Sequence, residues 1–143
     1  VSAGEVVSFQ SFMTGEIFAL LRQHSVLRHG IAEGWDDAAF DAALSQALSR
    51  PEKIAARLFS LRAEALLENL SPELAFARLS GLLIGIELAA AKPYWLGQRV
   101  VLIGASQLCS PYARALAAQG LQPETLDATA CTLSGLALAR GLL

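Results

Sequence analysis

The stretch Val100-Val-Leu-Ile-Gly-Ala-Ser-Gln-Leu-Cys-Ser-Pro-Tyr-Ala-Arg-Ala-Leu-Ala-Ala-Gln-Gly120 reads as a buried strand, a small-residue turn and an amphipathic helix. The apolar run Val100 to Ile103 ends at Gly104, Ser106 is placed to cap a helix, and Leu108, Tyr112, Ala115 and Leu116 recur at the spacing of one helical face. In α/β proteins the backbone N–H groups of such a turn face an anion, which is where phosphates and nucleotides are held. A lone glycine with no Gly-Lys-Ser/Thr after it excludes both the dinucleotide fingerprint and the P-loop. On pattern alone, a plain structural crossover and a nucleotide turn are both open.

On either side of this unit the punctuation is clear. Pro93 and Gly97 break the chain before the strand. After the Gly120 stop, Gln122 to Leu126 forms a second short strand and Asp127 caps a last helix. The right-handed crossover rule makes those two strands parallel neighbours. Upstream, Phe40, Ala43, Leu44, Ala47 and Leu48 predict a helix over 36–48 with Asp36 or Asp37 as cap. Arg50-Pro51 ends it, and Glu52 to Asn69 forms a longer helix. Ser71-Pro72 then opens a third, running to about Lys92, with Ser as cap and Pro in the first helical position. At the start, alternation from Glu5 to Met13 predicts a strand closed by Thr14-Gly15, followed by a short helix from Glu16 to Gln23. The class is α/β with a small three-stranded sheet. Its central strands carry more apolar surface than so few neighbours cover, which predicts further strands upstream of Val1.

A chain of 143 residues, 54% hydrophobic, supplies one ordinary domain over 1–143. The net charge of −2 is spread without runs, which argues against DNA, RNA or anionic lipid as partner. Cys109 and Cys131 make no disulfide framework, so a reducing cytoplasm is expected. The longest apolar run, Leu79 to Ala91, contains Glu87 and falls short of the roughly 20 residues of a bilayer span, so no membrane helix is predicted. The chain begins Val1-Ser-Ala-Gly without methionine, as a cut or processed chain would.

Few residues stand out as chemical. Arg62 has Leu58, Phe59, Ala65 and Leu66 at helical spacing, which directs its guanidinium toward a partly buried place. Glu87 is set similarly among Leu83, Ile84, Ala90 and Ala91. An Arg62–Glu87 ion pair, snorkelling to water, and recognition of a substrate carboxylate by Arg62 are the three readings. Gly81 and Gly85 lie on one helix face and predict close approach of another element. Thr14, Gly15 and Glu16 group a hydroxyl, a flexible backbone and a carboxylate at one turn, open to helix capping or to ligand binding. His24 and His29 have no further ligands at zinc spacing, and Ser25 beside His24 lacks the geometry of a nucleophile–base pair.

Three segments together resemble the 2-keto-3-deoxy-galactonokinase family of sugar-acid kinases. They are Phe9-x-x-Phe12-Met-Thr-Gly-Glu-Ile-Phe18 with His24-Ser25, Phe59-Ser-Leu-Arg-Ala63, and Leu79-Ser-Gly-Leu-Leu-Ile-Gly-Ile-Glu87. The resemblance implies an actin/hexokinase-like kinase with two ribonuclease-H-like halves, of which this chain matches the helix-rich C-terminal half, with an incomplete sheet. ATP and Mg2+ are the implied cofactors, and a 2-keto-3-deoxy sugar acid is the implied substrate. The N-terminal lobe, which carries the first phosphate turn, is the implied partner, and a second copy of the chain is left open. Carried over residue by residue, Gly104, Ala105 and Ser106 would meet the nucleotide, Thr14, Gly15 and Glu16 would lie near the cleft where sugar and phosphates meet, and Arg62 would hold the sugar carboxylate. The same half without turnover, as a nucleotide- or partner-binding domain, is the alternative, and a helical interaction module over 36–92 is another.

Overall fold

Local chemistry places the helix starts. Asp36 holds an extended backbone and its Oδ1 accepts the Ala39 N–H at 2.7 Å, opening α2 (Asp37–Ser49). Ser71 does the same for α4 (Pro72–Ala90), accepting from Leu74 at 3.3 Å with Pro72 in the first turn. Between them, the Arg50-Pro51 break passes through a 3₁₀ turn, Pro51–Lys53, into α3 (Ile54–Leu67). Asn69 adopts a left-handed φ of 55° after α3, a conformation asparagine tolerates, and the Leu70 N–H then reaches back to the Glu64 carbonyl.

The computed structural model describes residues 4–141. Its backbone divides into two units, Val1–Pro93 and Tyr94–Leu143. In the first, α1 (Thr14–His24) leads through a 3₁₀ turn (Val26–His29) to the α2–α3–α4 helices. The core comprises Leu27, Ala43, Ala47, Leu61, Leu79, Leu82 and Leu83, with Ile17, Phe18, Leu21, Ile31 and Leu58 packed against it. Every residue from Leu79 to Gly85 is buried, so α4 is surrounded along its middle.

The most extensive helix contact, α2 on α4, depends on two glycines. A Cβ on Gly81 would strike the Phe40 carbonyl oxygen and come within 3.0 Å of both Ala43 Cβ and Leu44 N. One on Gly85 would lie 2.6 Å from Ala47 Cβ. The predicted close approach is therefore present, and its partner is α2.

In the second unit β1 (Val101–Gly104) pairs with β2 (Glu124–Asp127) in parallel, Val101 opposite Glu124 and Gly104 opposite Asp127. The crossover is α6 (Ser106–Ala117), and α7 (Ala128–Gly141) follows β2. Asp127 caps α7 by accepting the Ala130 N–H at 2.8 Å. A short helical turn, α5 (Lys92–Trp95), lies at the junction of the two units.

Three expectations are corrected. Residues 6–13 form no strand, and among the described residues the sheet has two strands rather than three. Val6, Val7 and Phe9 are 71%, 68% and 83% exposed, so both faces of the alternating segment look outward and no neighbouring ladder or core fixes it as a strand. Ser106 is not the cap of α6. Ala105 holds that position with φ −66° and ψ 141°, and no side chain caps the helix. The buried face of α6 is Cys109, Ala115 and Leu116, whereas Leu108, expected among them, is exposed.

Candidate functional site

The turn after β1 is built from small residues for a geometric reason. A Cβ on Gly104 would sit 3.2 Å from Cys109 Sγ, so the strand end lies tightly over the first turn of α6. Ala105 accepts the Leu108 and Cys109 N–H groups at 2.9 Å each through its carbonyl. The N–H groups of Ser106 and Gln107 precede the first intrahelical bonds, and α6 has no side-chain cap to satisfy them. Backbone donors at the positive end of a helix are groups to which an anion can bond. The parallel register sets Asp127 opposite Gly104, so both strands end at the same edge. Asp127 was legible in the sequence only as a cap; its place beside the turn follows from strand register.

Thr14, Gly15 and Glu16 are the first turn of α1, two residues earlier than expected. Met13 is the N-cap and contributes no side-chain bond, so capping does not account for Thr14 or Glu16. Gly15 and Glu16 are exposed, and a Cβ on Gly15 would meet nothing within 4 Å. Glu16 stands in the first turn, where its charge favours the helix. Next along, Ser25 serves as a cap: it accepts the Leu27 N–H at 3.0 Å and donates to the Leu21 carbonyl at 2.5 Å. That bonding explains the His24-Ser25 pair as structure.

Arg62 lies on α3 and is half-buried. The expected Arg62–Glu87 pair is not formed. The α3–α4 ion pair is instead Glu64 with Arg78, two-pronged, with Arg78 Nη2 at 3.0 Å from Glu64 Oε1. Both side chains are about one-quarter exposed, at 25% and 24%. Helix crossing decides the partner: α3 presents Glu64 to α4, and residue 62 lies on a different part of the helix surface. Thr14, Gly15 and Glu16 thus share one helical turn in the first unit, where Arg62 occupies a separate helix, and Gly104, Ala105 and Ser106 belong to the second unit.

Among the described residues no group of three or more His, Cys, Asp and Glu side chains is placed to hold a metal ion. No helix among them is long and apolar enough to cross a membrane.

The family model for 2-keto-3-deoxy-galactonokinase matches residues 1–139. A protein of Rhizobium meliloti (strain 1021), named a probable 2-dehydro-3-deoxygalactonokinase, is 39% identical over 139 residues, which are 94% of this chain and 45% of that protein. The 2-dehydro-3-deoxygalactonokinase of Escherichia coli (strain K12) is 36% identical over 118 residues, 81% of this chain and 40% of its own length. A crystal structure from Sinorhizobium meliloti, of a protein described as a candidate 2-dehydro-3-deoxygalactonokinase, matches with a TM-score of 0.87 at 36% identity, covering 95% of this chain and 45% of that one. This chain spans less than half the length of these relatives. With a helix-rich body, a small parallel sheet and a family match along nearly its whole length, the chain belongs to the 2-keto-3-deoxy-galactonokinase family.

Proposed function

We propose that the protein, at the length of its relatives, transfers the γ-phosphoryl group of ATP to the 6-hydroxyl of 2-keto-3-deoxy-galactonate, and that this chain is the C-terminal half of that kinase. The observation that carries the reading is the uncapped β1–α6 turn, Gly104-Ala105-Ser106, at the carboxyl end of a parallel strand pair. Its donor set suits phosphate oxygens: the Ser106 and Gln107 N–H groups point from a helix start, and no side chain there competes for them. In this reading the turn binds the nucleotide, the first turn of α1 with Thr14, Gly15 and Glu16 borders the sugar and phosphates, and Arg62 holds the sugar carboxylate with its planar fork of donors. Positioning and electrostatic stabilisation supply most of the rate in phosphoryl transfer, so binding groups suffice for this half.

Among the described residues no three ligating side chains come together, and magnesium in phosphoryl transfer is held by one or two carboxylates with the substrate phosphates. No step is assigned to the ion within this chain. The proton of the sugar hydroxyl likewise passes to a base outside these candidate residues. The fold proposed is the ribonuclease-H-like half of an actin/hexokinase-like kinase, with further strands beside β1 and β2 supplied by the remainder of the relatives' length. A cytoplasmic location goes with it, on the cysteine usage of the sequence. Because the chain spans under half of its relatives, the chain alone is read as binding nucleotide without turnover.

An ADP-release assay with ATP, magnesium and 2-keto-3-deoxy-galactonate tests the proposal, run on the chain and on a version extended upstream to the length of its relatives. Turnover by the extended version alone is expected. Inactivity of both, with other sugar acids also tried, overturns the kinase reading and leaves the binding domain.

A further inference from the structure

At the carboxyl edge of the β1–β2 pair, two helices start in unlike ways. Gly104 ends β1 beside Asp127, which ends β2, and neighbouring strands lie about 4.8 Å apart. From the first strand α6 begins without a side-chain cap. From the second α7 begins under Asp127, whose Oδ1 accepts the Ala130 N–H at 2.8 Å. That bond holds an exposed carboxylate at the strand edge, next to the turn. It also leaves acceptor capacity unused, because an ionised carboxylate carries acceptor sites on both oxygens and Oδ2 has no partner among the described residues.

The edge therefore presents donors at the end of β1 and an acceptor at the end of β2. A nucleotide offers the complementary order. Its phosphates only accept, whereas the 2′- and 3′-hydroxyls of its ribose, one sugar ring away, can donate. With phosphates at Gly104-Ala105-Ser106, like charge keeps them off Asp127, and the neutral hydroxyls are the groups a carboxylate can bond there. Hydrogen bonds from a hydroxyl to an ionised oxygen are roughly twice as strong as neutral ones. The same division of labour occurs in parallel α/β sheets where a glycine turn after one strand takes phosphate and an acid roughly 20 residues on takes the ribose. This chain lacks the further glycines of that fingerprint, so the likeness is one of strand order and acid position.

We propose that Asp127 accepts a hydrogen bond from a ribose hydroxyl of the nucleotide and so selects ribonucleotides over deoxynucleotides. The assignment rests on the β1–α6 turn being the nucleotide site. Calorimetric Kd values for ATP, 2′-deoxy-ATP and 3′-deoxy-ATP are measured on the protein at the length of its relatives, and on its Asp127→Ser variant, in which serine keeps a capping oxygen but is too short to serve the ribose as well. The parent should bind at least one deoxynucleotide tenfold or more weaker than ATP, and Asp127→Ser should lose that preference by weakening ATP alone. The analogue that shows the coupling identifies the hydroxyl. Equal binding of all three nucleotides by the parent overturns the inference, as does an Asp127→Ser variant that keeps the preference or weakens every nucleotide by the same factor, the mark of a purely structural cap. In these cases ATP binding that is lost in Ser106→Trp leaves the nucleotide reading standing. No binding of any nucleotide by the parent removes that reading, and the role of Asp127 with it. Should Asp127→Ser fail to fold by circular dichroism, Asp127→Thr, also a capping residue, completes the comparison.

Discussion

Replacing Gly81 by alanine separates two opposing effects that the α2–α4 crossing makes unequal. In an open helix the change stabilises by up to about 1 kcal/mol, because alanine loses less backbone freedom on folding. Here the new methyl meets the Phe40 carbonyl oxygen and lies 3.0 Å from Ala43 Cβ and Leu44 N, of which the first and last are backbone atoms of a packed helix. Backbone atoms cannot swing aside as a side-chain tip would, so the helices must separate. Overpacking of this kind costs about 1–3 kcal/mol, and the upper end applies where the crowded atoms are backbone on both sides. Subtracting the propensity gain leaves a net loss of about 2 kcal/mol, or a fall in Tm of roughly 8 °C or more for a unit of this size. Gly15→Ala is the control, since a Cβ there meets nothing within 4 Å. Thermal unfolding followed by circular dichroism reads both variants. A Gly81→Ala protein melting at or above the parent, with Gly15→Ala unchanged or more stable, would refute the close crossing.

Four further outcomes are expected. Ser106→Trp, in the protein at the length of its relatives, should weaken ATP at least tenfold with the sugar-acid KM unchanged; equal ATP affinity in a direct binding assay removes the nucleotide assignment. Arg62→Ala in the same protein should raise the sugar-acid KM far more than the ATP KM, and steady-state kinetics showing equal effects would make the residue structural. Asp36→Ala should cost about 1 kcal/mol in denaturant unfolding through loss of the bond to Ala39, with Asp36→Asn recovering most of it. A double-mutant cycle on Glu64→Gln and Arg78→Met should return a coupling of about 1 kcal/mol, at the top of the exposed-pair range because both side chains are about three-quarters buried; zero coupling would show that the pair is incidental.

What was legible in the sequence was local. Ser71-Pro72 and Asp127 are caps whose chemistry acts within three residues, and both were placed without knowledge of the fold; at the start of α2 the sequence offered Asp36 or Asp37, and Asp36 is the cap. The Gly81/Gly85 face was legible as a close approach, although α2 as its partner was not. Misreadings cluster where geometry beyond the local turn decides. Arg62 and Glu87 looked matched because both sit among apolar neighbours, yet pairing follows helix crossing, which selects Glu64 and Arg78. Ser106 looked like a cap because serine favours that position, but the backbone leaves the strand one residue earlier, at Ala105. The Arg57–Gln46 bond spans the Pro51 break, and no periodicity links residues on two different helices.

The segment 6–13 and the β1–β2 pair share one physical problem. A strand is stabilised by what lies beside and above it, not by its own alternation. Val101, Ile103 and Leu126 are 40%, 59% and 38% exposed, and Leu133, Leu136 and Leu138 on α7 are more exposed still. The same holds for Val7 and Phe9. By contrast Leu44, Leu79 and Leu83 are buried within the helical unit, where α2 and α4 meet across glycine. The two units therefore differ in what their own residues can account for. The packing of the helical unit follows from contacts inside it, whereas the apolar surface of the α/β unit exceeds what two strands and their helices cover. The chain matches 45% of the Sinorhizobium meliloti protein's length with a TM-score of 0.87, so the turn at Gly104-Ala105-Ser106 and the bare sheet beside it belong to a backbone shared with that relative.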